Sequence, residues 1–172
     1  ICSVLESLGY LSEGGREVTD AGRMLARIYA DLDLVSAECI RVGVFDDLAA
    51  AQLASVLSSV VFESRGGERR RPPRMPDRAS EQAQTALRGI WRQVGLTERD
   101  HRLERGPEPD IGFAESIHAW ASGRPLGDVL DESGLTAGDF VRWARQVVDF
   151  AAQLAQASGP GPLRDTRREV VD

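Results

Sequence analysis

Six polar residues of the segment Thr136–Gln156 share one line along a helix. At about 100° per residue, Arg142, Arg145, Gln146, Asp149, Gln153 and Gln156 fall in a single stripe, with both guanidiniums toward its N-terminal half. Arginine pairs with phosphate or stacks on a base, and glutamine donates to or accepts from base edges without demanding a sequence. Such a stripe suits the tracking of a single nucleic-acid strand. From spacing alone it is also what any solvated face of an amphipathic helix looks like.

The other residues able to do chemistry point away from catalysis in this chain. All 21 basic residues are arginine, which leaves no lysine nucleophile, Schiff base or P-loop lysine. There is no G-x-x-x-x-G-K-[ST] loop and no DExH-like acidic motif for magnesium, so the chain alone is expected neither to bind nor to hydrolyse ATP. His101 and His118 have no partners at metal-ligand spacing and read as structural; no metal is expected. Cys2 and Cys39 lie far apart with no C-x-x-C pattern and read as reduced structural thiols, the usage of a cytoplasmic protein. Asp46-Asp47 and Asp131-Glu132 sit at helix edges, where capping and solvation explain them better than acid–base work. Trp91, Trp120 and Trp143 lie on or beside apolar stripes and read as core rather than as stacking platforms, Trp143 standing next to Arg142.

Composition narrows the partners. The 172 residues suit one ordinary domain, and 42% hydrophobic content can build a core. A formal net charge of −6 is not the footprint of an autonomous nucleic-acid binder, so any such contact must be local. No apolar run approaches the ~20 residues of a membrane span. The chain opens on Ile1, in a helical pattern and without a signal-peptide layout, and reads as a fragment of a longer protein.

The elements that must position the stripe are helical. Ile1, Val4, Leu5 and Leu8 recur at helical spacing up to Gly9. Tyr10–Ser12 and Glu17–Thr19 flank Gly14-Gly15 as a small β-hairpin would, and Thr19 can cap a helix through Ala21, Met24, Leu25 and Ile28. Residues 1–30 thus read as the end of a winged-helix-like unit or as leading helices, and 31–172 as a helical bundle. Asp33 can cap a helix ending at Gly43, and Asp46 or Asp47 the next, which carries Leu48, Leu53, Val56, Leu57, Val60 and Val61 and leaves Gln52, Ser55, Ser58 and Ser59 off the apolar stripe. Residues 65–78 hold six arginines with glycine and proline and read as a surface loop. Its Arg69–Arg71 run reads as a solvated linker, diluted by Glu68 and Asp77.

Beyond the loop, Asp77 caps a helix that Gly95 is expected to close, with Ala83, Ala86, Leu87, Ile90, Trp91 and Val94 on its apolar face. Phe113, Ile117 and Trp120 mark a short helix ended by Ser122-Gly123, and Pro125 starts one that Gly134 ends. Thr136 and Asp139 open the last helix, whose buried face is expected to hold Phe140, Ala144, Val147, Ala151 and Leu154, widened by Val141 and Val148. The fold class is all-α, a helical bundle with at most one small N-terminal hairpin.

Three segments in order carry a resemblance: SAECIRVGVFDDLAAAQLASVLSSVVFESR, EPDIGFAESIHAWASGRPLGDVLDESGLTAGDFVRWARQVVDFAAQLA and PLRDTRREVVD. Together they resemble the DSHCT family, the C-terminal helical domain of exosome-associated DExH RNA helicases, whose bacterial representatives are the HelY-type helicases. The resemblance implies a bundle packed on two motor domains, with a ratchet helix that presents side chains to single-stranded RNA leaving the motor. Gly138–Gln146 looks like that helix, which makes Arg142, Arg145 and Gln146 the RNA-facing candidates. Family members often carry a second basic residue where this chain has Gln146. Glu63 resembles a position that approaches RNA bases in relatives, where it could accept from a base edge or hold a ratchet arginine, and Arg65 could meet a phosphate.

ATP and magnesium would then belong to motor domains of the same polypeptide, and RNA-degrading nucleases are a further partner class. The second function class that the residues allow is an autonomous winged-helix or helical protein-interaction module, such as a transcriptional regulator.

Overall fold

The computed structural model describes residues 1–64 and 72–158, and their regular structure is helical. Eight α-helices run in order among the described residues: α1 (Cys2–Ser7), α2 (Asp20–Leu25), α3 (Asp33–Arg41), α4 (Ala50–Val61), α5 (Arg78–Asp100), α6 (Ala114–Ala121), α7 (Leu126–Ser133) and α8 (Ala137–Ala157). A 3₁₀ turn at Ile111–Phe113 leads into α6. The expected hairpin is reduced to one antiparallel bridge, Leu11 to Val18, with Gly14 and Gly15 turning at positive φ between its arms.

α4 is the axis of the bundle, in contact with α5, α6, α8 and the 3₁₀ turn. It is wrapped on all sides, because Ser55, Ser58 and Ser59 are as buried as Leu53, Val56 and Leu57. The serines outside the apolar stripe are therefore not a solvent face. Their small hydroxyls donate back to Gln52, Ser55 and Val56 carbonyls at 2.7–2.8 Å, which removes the cost of burying them bare and lets neighbouring helices approach. The Ser59 hydroxyl also meets Gln84 Oε1 of α5 at 2.9 Å, a polar tie across the α4–α5 seam.

Several helix ends fall where their chemistry places them. Thr19 accepts from Gly22 N, Asp77 from Ser80 N and Thr136 from Asp139 N, each satisfying an N-terminal donor. Three ends differ from expectation. α3 has Leu32 at its N-cap without a side-chain bond, and Asp33, its first residue, accepts only from the neighbouring Leu34 N. α4 starts at Ala50 rather than from an Asp46 or Asp47 cap: those aspartates lie in the turn after Gly43, and Gln52 Oε1 instead accepts from Ala49 N at 3.0 Å. α5 passes through Gly95 to Asp100, because this glycine makes room rather than a stop. A Cβ on it would meet Arg105 Nε at 2.2 Å. The helix ends at Asp100, and Arg102 just beyond it, with φ 60°, sets the left-handed turn that lets Leu103 N reach Glu98 O at 2.9 Å.

On α8 the inner face holds Phe140, Ala144, Val147, Phe150, Ala151 and Leu154. Val141 lies outside it, 43% exposed, and Phe150 takes its place as a buried side chain. The face is rotated toward Trp143, because α8 must cover the aromatic cluster at the end of α4.

Candidate functional site

Five aromatic rings bind the start of α8 to α4 and α6. Phe62 stacks on Phe113 with centroids 5.6 Å apart and meets Trp143 edge-on at 4.9 Å; Phe140 sits edge-on to Phe113 at 5.2 Å and to Trp120 at 5.8 Å. Each fully buried ring of this kind contributes on the order of 2 kcal/mol by burial, and edge-to-face pairing adds to it. The cluster fixes the backbone on both sides. Glu63 follows Phe62 and Arg142 precedes Trp143, so packing two rings together delivers a carboxylate and a guanidinium to one groove.

That groove, about 1230 Å³, is lined by Glu63, Arg142 and Trp143 together with residues of α6, α7 and the 72–76 segment. Arg142 lies 4.4 Å from the Trp143 ring centroid, with Asp139 Oδ1 3.5 Å from its Nη2, and its side chain keeps 39% exposure. Stacking on one side and a carboxylate on the other leave it a held, partly open cation. The groove is not a phosphate trap. Its carboxylates outnumber its guanidiniums five to three, and each arginine meets an acid: Arg74 Nε donates to Glu115 at 2.7 Å, and Arg124 forks onto both oxygens of Glu132 at 2.7 and 2.9 Å.

Arg145 and Gln146 are exposed on the outer side of α8 and do not line the groove. The structure thus places Glu63 and Arg142 in the lining of one groove and sets Arg145 and Gln146 on the outer face of α8. Arg65 lies outside the described residues, as do residues 66–71 of the arginine loop and the closing PLRDTRREVVD segment. In the far half of the stripe the Gln153 side chain and the Gln156 backbone are engaged. Tyr29 N donates to Gln153 Oε1 at 2.8 Å, and Arg27 donates to the Gln156 carbonyl at 3.2 Å, tying the turn after α2 to the end of α8.

The histidines have structural neighbours. His118 Nε2 lies 3.6 Å from Asp77 Oδ2, and His101 Nδ1 lies 2.8 Å from the Thr97 carbonyl. Burial alone would raise Asp77, but hydrogen bonds from Ser80 and Gln52, helped by His118, hold its carboxyl below the usual aspartate range. Burial likewise pushes the Cys39 thiol up to about 12, which keeps it neutral. Among the described residues no helix is long and apolar enough to cross a membrane.

Sequence reasoning missed the groove-lining pairs Arg74–Glu115 and Arg124–Glu132 and the part of Phe62 in the cluster. The first pair spans 41 residues and has no local signal. Phe62 could have been found as the apolar residue preceding Glu63.

Comparison with known proteins agrees with this architecture. A profile described as the DSHCT (NUC185) domain matches residues 15–172. "Probable helicase HelY" of Mycobacterium tuberculosis is 40% identical over 164 residues, covering 90% of this chain and 18% of the relative. The protein of the same name from Mycobacterium leprae is 40% identical over 166 residues, covering 91% of this chain and 18% of the relative. Human "Exosome RNA helicase MTR4" is 23% identical over 163 residues, covering 90% and 15%. The chain therefore spans less than a fifth of the length of these relatives. An all-α bundle whose profile match runs from the bridge to its last residue belongs to the DSHCT domain family of DExH-type helicases.

Proposed function

We propose that this chain is the C-terminal accessory domain of an ATP-dependent RNA helicase and contacts single-stranded RNA leaving the motor domains. The observation that carries the reading is Arg142, held on Trp143 in the lining of a groove that Glu63 also lines. Arg142 and Arg145 meet successive parts of the RNA backbone, and Gln146 meets base edges. Glu63 accepts from a base edge, since an acceptor in an acidic groove repels phosphate and suits a donor.

Contacts that are few and tolerant of sequence let the strand advance between strokes of the motor. ATP and magnesium act in the motor domains of the same polypeptide. The Leu11–Val18 bridge supports reading residues 1–30 as the end of a winged-helix-like unit preceding the bundle. A cytoplasmic setting and nuclease partners complete the proposal.

The test is binding of single-stranded RNA by this chain, with and without Arg142→Ala plus Arg145→Ala. We expect weak, salt-sensitive binding that the double variant lowers about tenfold or more, roughly one charge-assisted hydrogen bond's worth, with unfolding unchanged. Equal binding by both forms rules out the α8 contact.

A further inference from the structure

α5 carries a second line of guanidiniums on a side of the bundle apart from α8. α5 packs on α3 and α4, and α8 packs on α4 from its own side. Along α5, Arg92 and Arg99 are exposed, and the Arg88 side chain keeps 36% exposure. Their spacings of four and seven keep the three within about 40° of one another over roughly 16 Å of helix. Between Arg88 and Arg99 no carboxylate shares that line; the acid that does is the exposed Glu81, seven residues before Arg88. Glu98, the acid between Arg88 and Arg99, is turned inward and accepts from the Gly106 backbone.

A further exposed arginine stands just past the helix end. Arg102 is exposed in the left-handed conformation, φ 60°, at the position that glycine fills at lower cost. An exposed arginine there gains no packing; what it adds is a guanidinium beyond the last turn. The chain then runs back along α5 and fixes the edge of the ridge: Arg105 lies 4.5 Å from the Trp91 ring centroid, Trp91 Nε1 donates to the Gly106 carbonyl at 3.1 Å, and Arg88 stands 3.5 Å from Glu108. The neighbouring acids are Asp100, Glu104 and Glu108, and Glu108 is already engaged.

Protein interfaces centre on buried apolar and aromatic anchors. Here the exposed large apolar side chain is Leu96. A straight row of cations without an apolar centre, on a chain of net charge −6, fits a linear polyanion. We propose that Arg92, Arg99 and Arg102, with Arg88 at the edge, form a second docking surface, for the phosphate backbone of single-stranded RNA. The choice of RNA rests on the reading above; the ridge itself does not.

The test is a salt series of polyuridine binding by the unsubstituted chain, by an Arg92→Gln/Arg99→Gln/Arg102→Gly variant and by an Arg142→Gln/Arg145→Gln variant. Glycine fits the left-handed site and the other two positions are exposed, so the triple variant keeps its fold, checked by thermal unfolding. It should bind about tenfold more weakly, with a salt slope shallower by about 2, at roughly 0.7 per phosphate contact. An affinity and slope equal to those of the unsubstituted chain overturn the ridge. If the triple variant loses slope and the Arg142/Arg145 variant does not, the ridge stands and the α8 reading falls; the reverse result overturns the ridge alone. A loss confined to polydeoxythymidine overturns the RNA assignment, and a loss confined to polyglutamate shows that the ridge takes an acidic protein instead.

Discussion

Phe62 and Trp143 meet edge to face with ring centroids 4.9 Å apart, and this contact places Glu63 and Arg142 on one groove. The two charged residues are far apart in sequence, one after α4 and one in the first turns of α8. Their place on one groove is a consequence of apolar packing between Phe62 and Trp143.

Replacing Trp143 should therefore do two things. Trp143→Ala removes the edge contact with Phe62 and the surface on which Arg142 stacks, and we expect a loss of about 3 kcal/mol in denaturant unfolding. Trp143→Phe should keep most of the stability. A loss under about 1 kcal/mol for the alanine variant would contradict the packing account.

Much of this architecture is legible in the sequence. Thr19, Asp77 and Thr136 are caps because a short oxygen-bearing side chain before an apolar-periodic run has few better uses, and all three cap in the structure. The reading went astray where a residue had a tertiary task. Gly95 looked like a helix stop and instead admits Arg105; Asp46 and Asp47 looked like caps and lie in a turn; Val141 looked inward and points out, because the aromatic cluster rotates α8. The polar stripe of α8 was visible as a periodicity. That the Gln153 side chain and the Gln156 backbone carbonyl hold the turn after α2 depends on partners more than 120 residues away and has no signature in spacing.

Gly22 sets how closely α2 approaches the bridge. A Cβ there would fall 2.2 Å from the Tyr10 carbonyl oxygen, which already accepts from Thr19 N and Oγ1. Backbone cannot give way as a flexible side chain would, so Gly22→Ala should destabilise by about 1–3 kcal/mol and leave α8 intact. Thermal unfolding of the variant checks this; unchanged stability would mean that the approach is looser than described.

Asp77 joins the start of α5 to α4 and α6 through Ser80, Gln52 and His118. Its carboxyl is held below the usual aspartate range, so the folded state favours the ionised form. A depressed folded-state pKa contributes stability that is present above the unfolded value, near 3.9, and is lost as pH falls through the folded value. Unfolding measured from neutral pH down to about 2 should show an acid-side loss that Asp77→Asn reduces. An identical pH profile for both forms would remove Asp77 from the acid response.

The central claim is that the Arg142 and Arg145 face of α8 grips RNA during translocation. The most direct measurement compares RNA unwinding with ATP hydrolysis in the parent helicase carrying Arg142→Ala and Arg145→Ala. The account predicts that unwinding falls about tenfold or more while ATPase activity and folding stability stay near those of the unsubstituted enzyme. Unwinding that is unchanged alongside intact ATPase activity would contradict it.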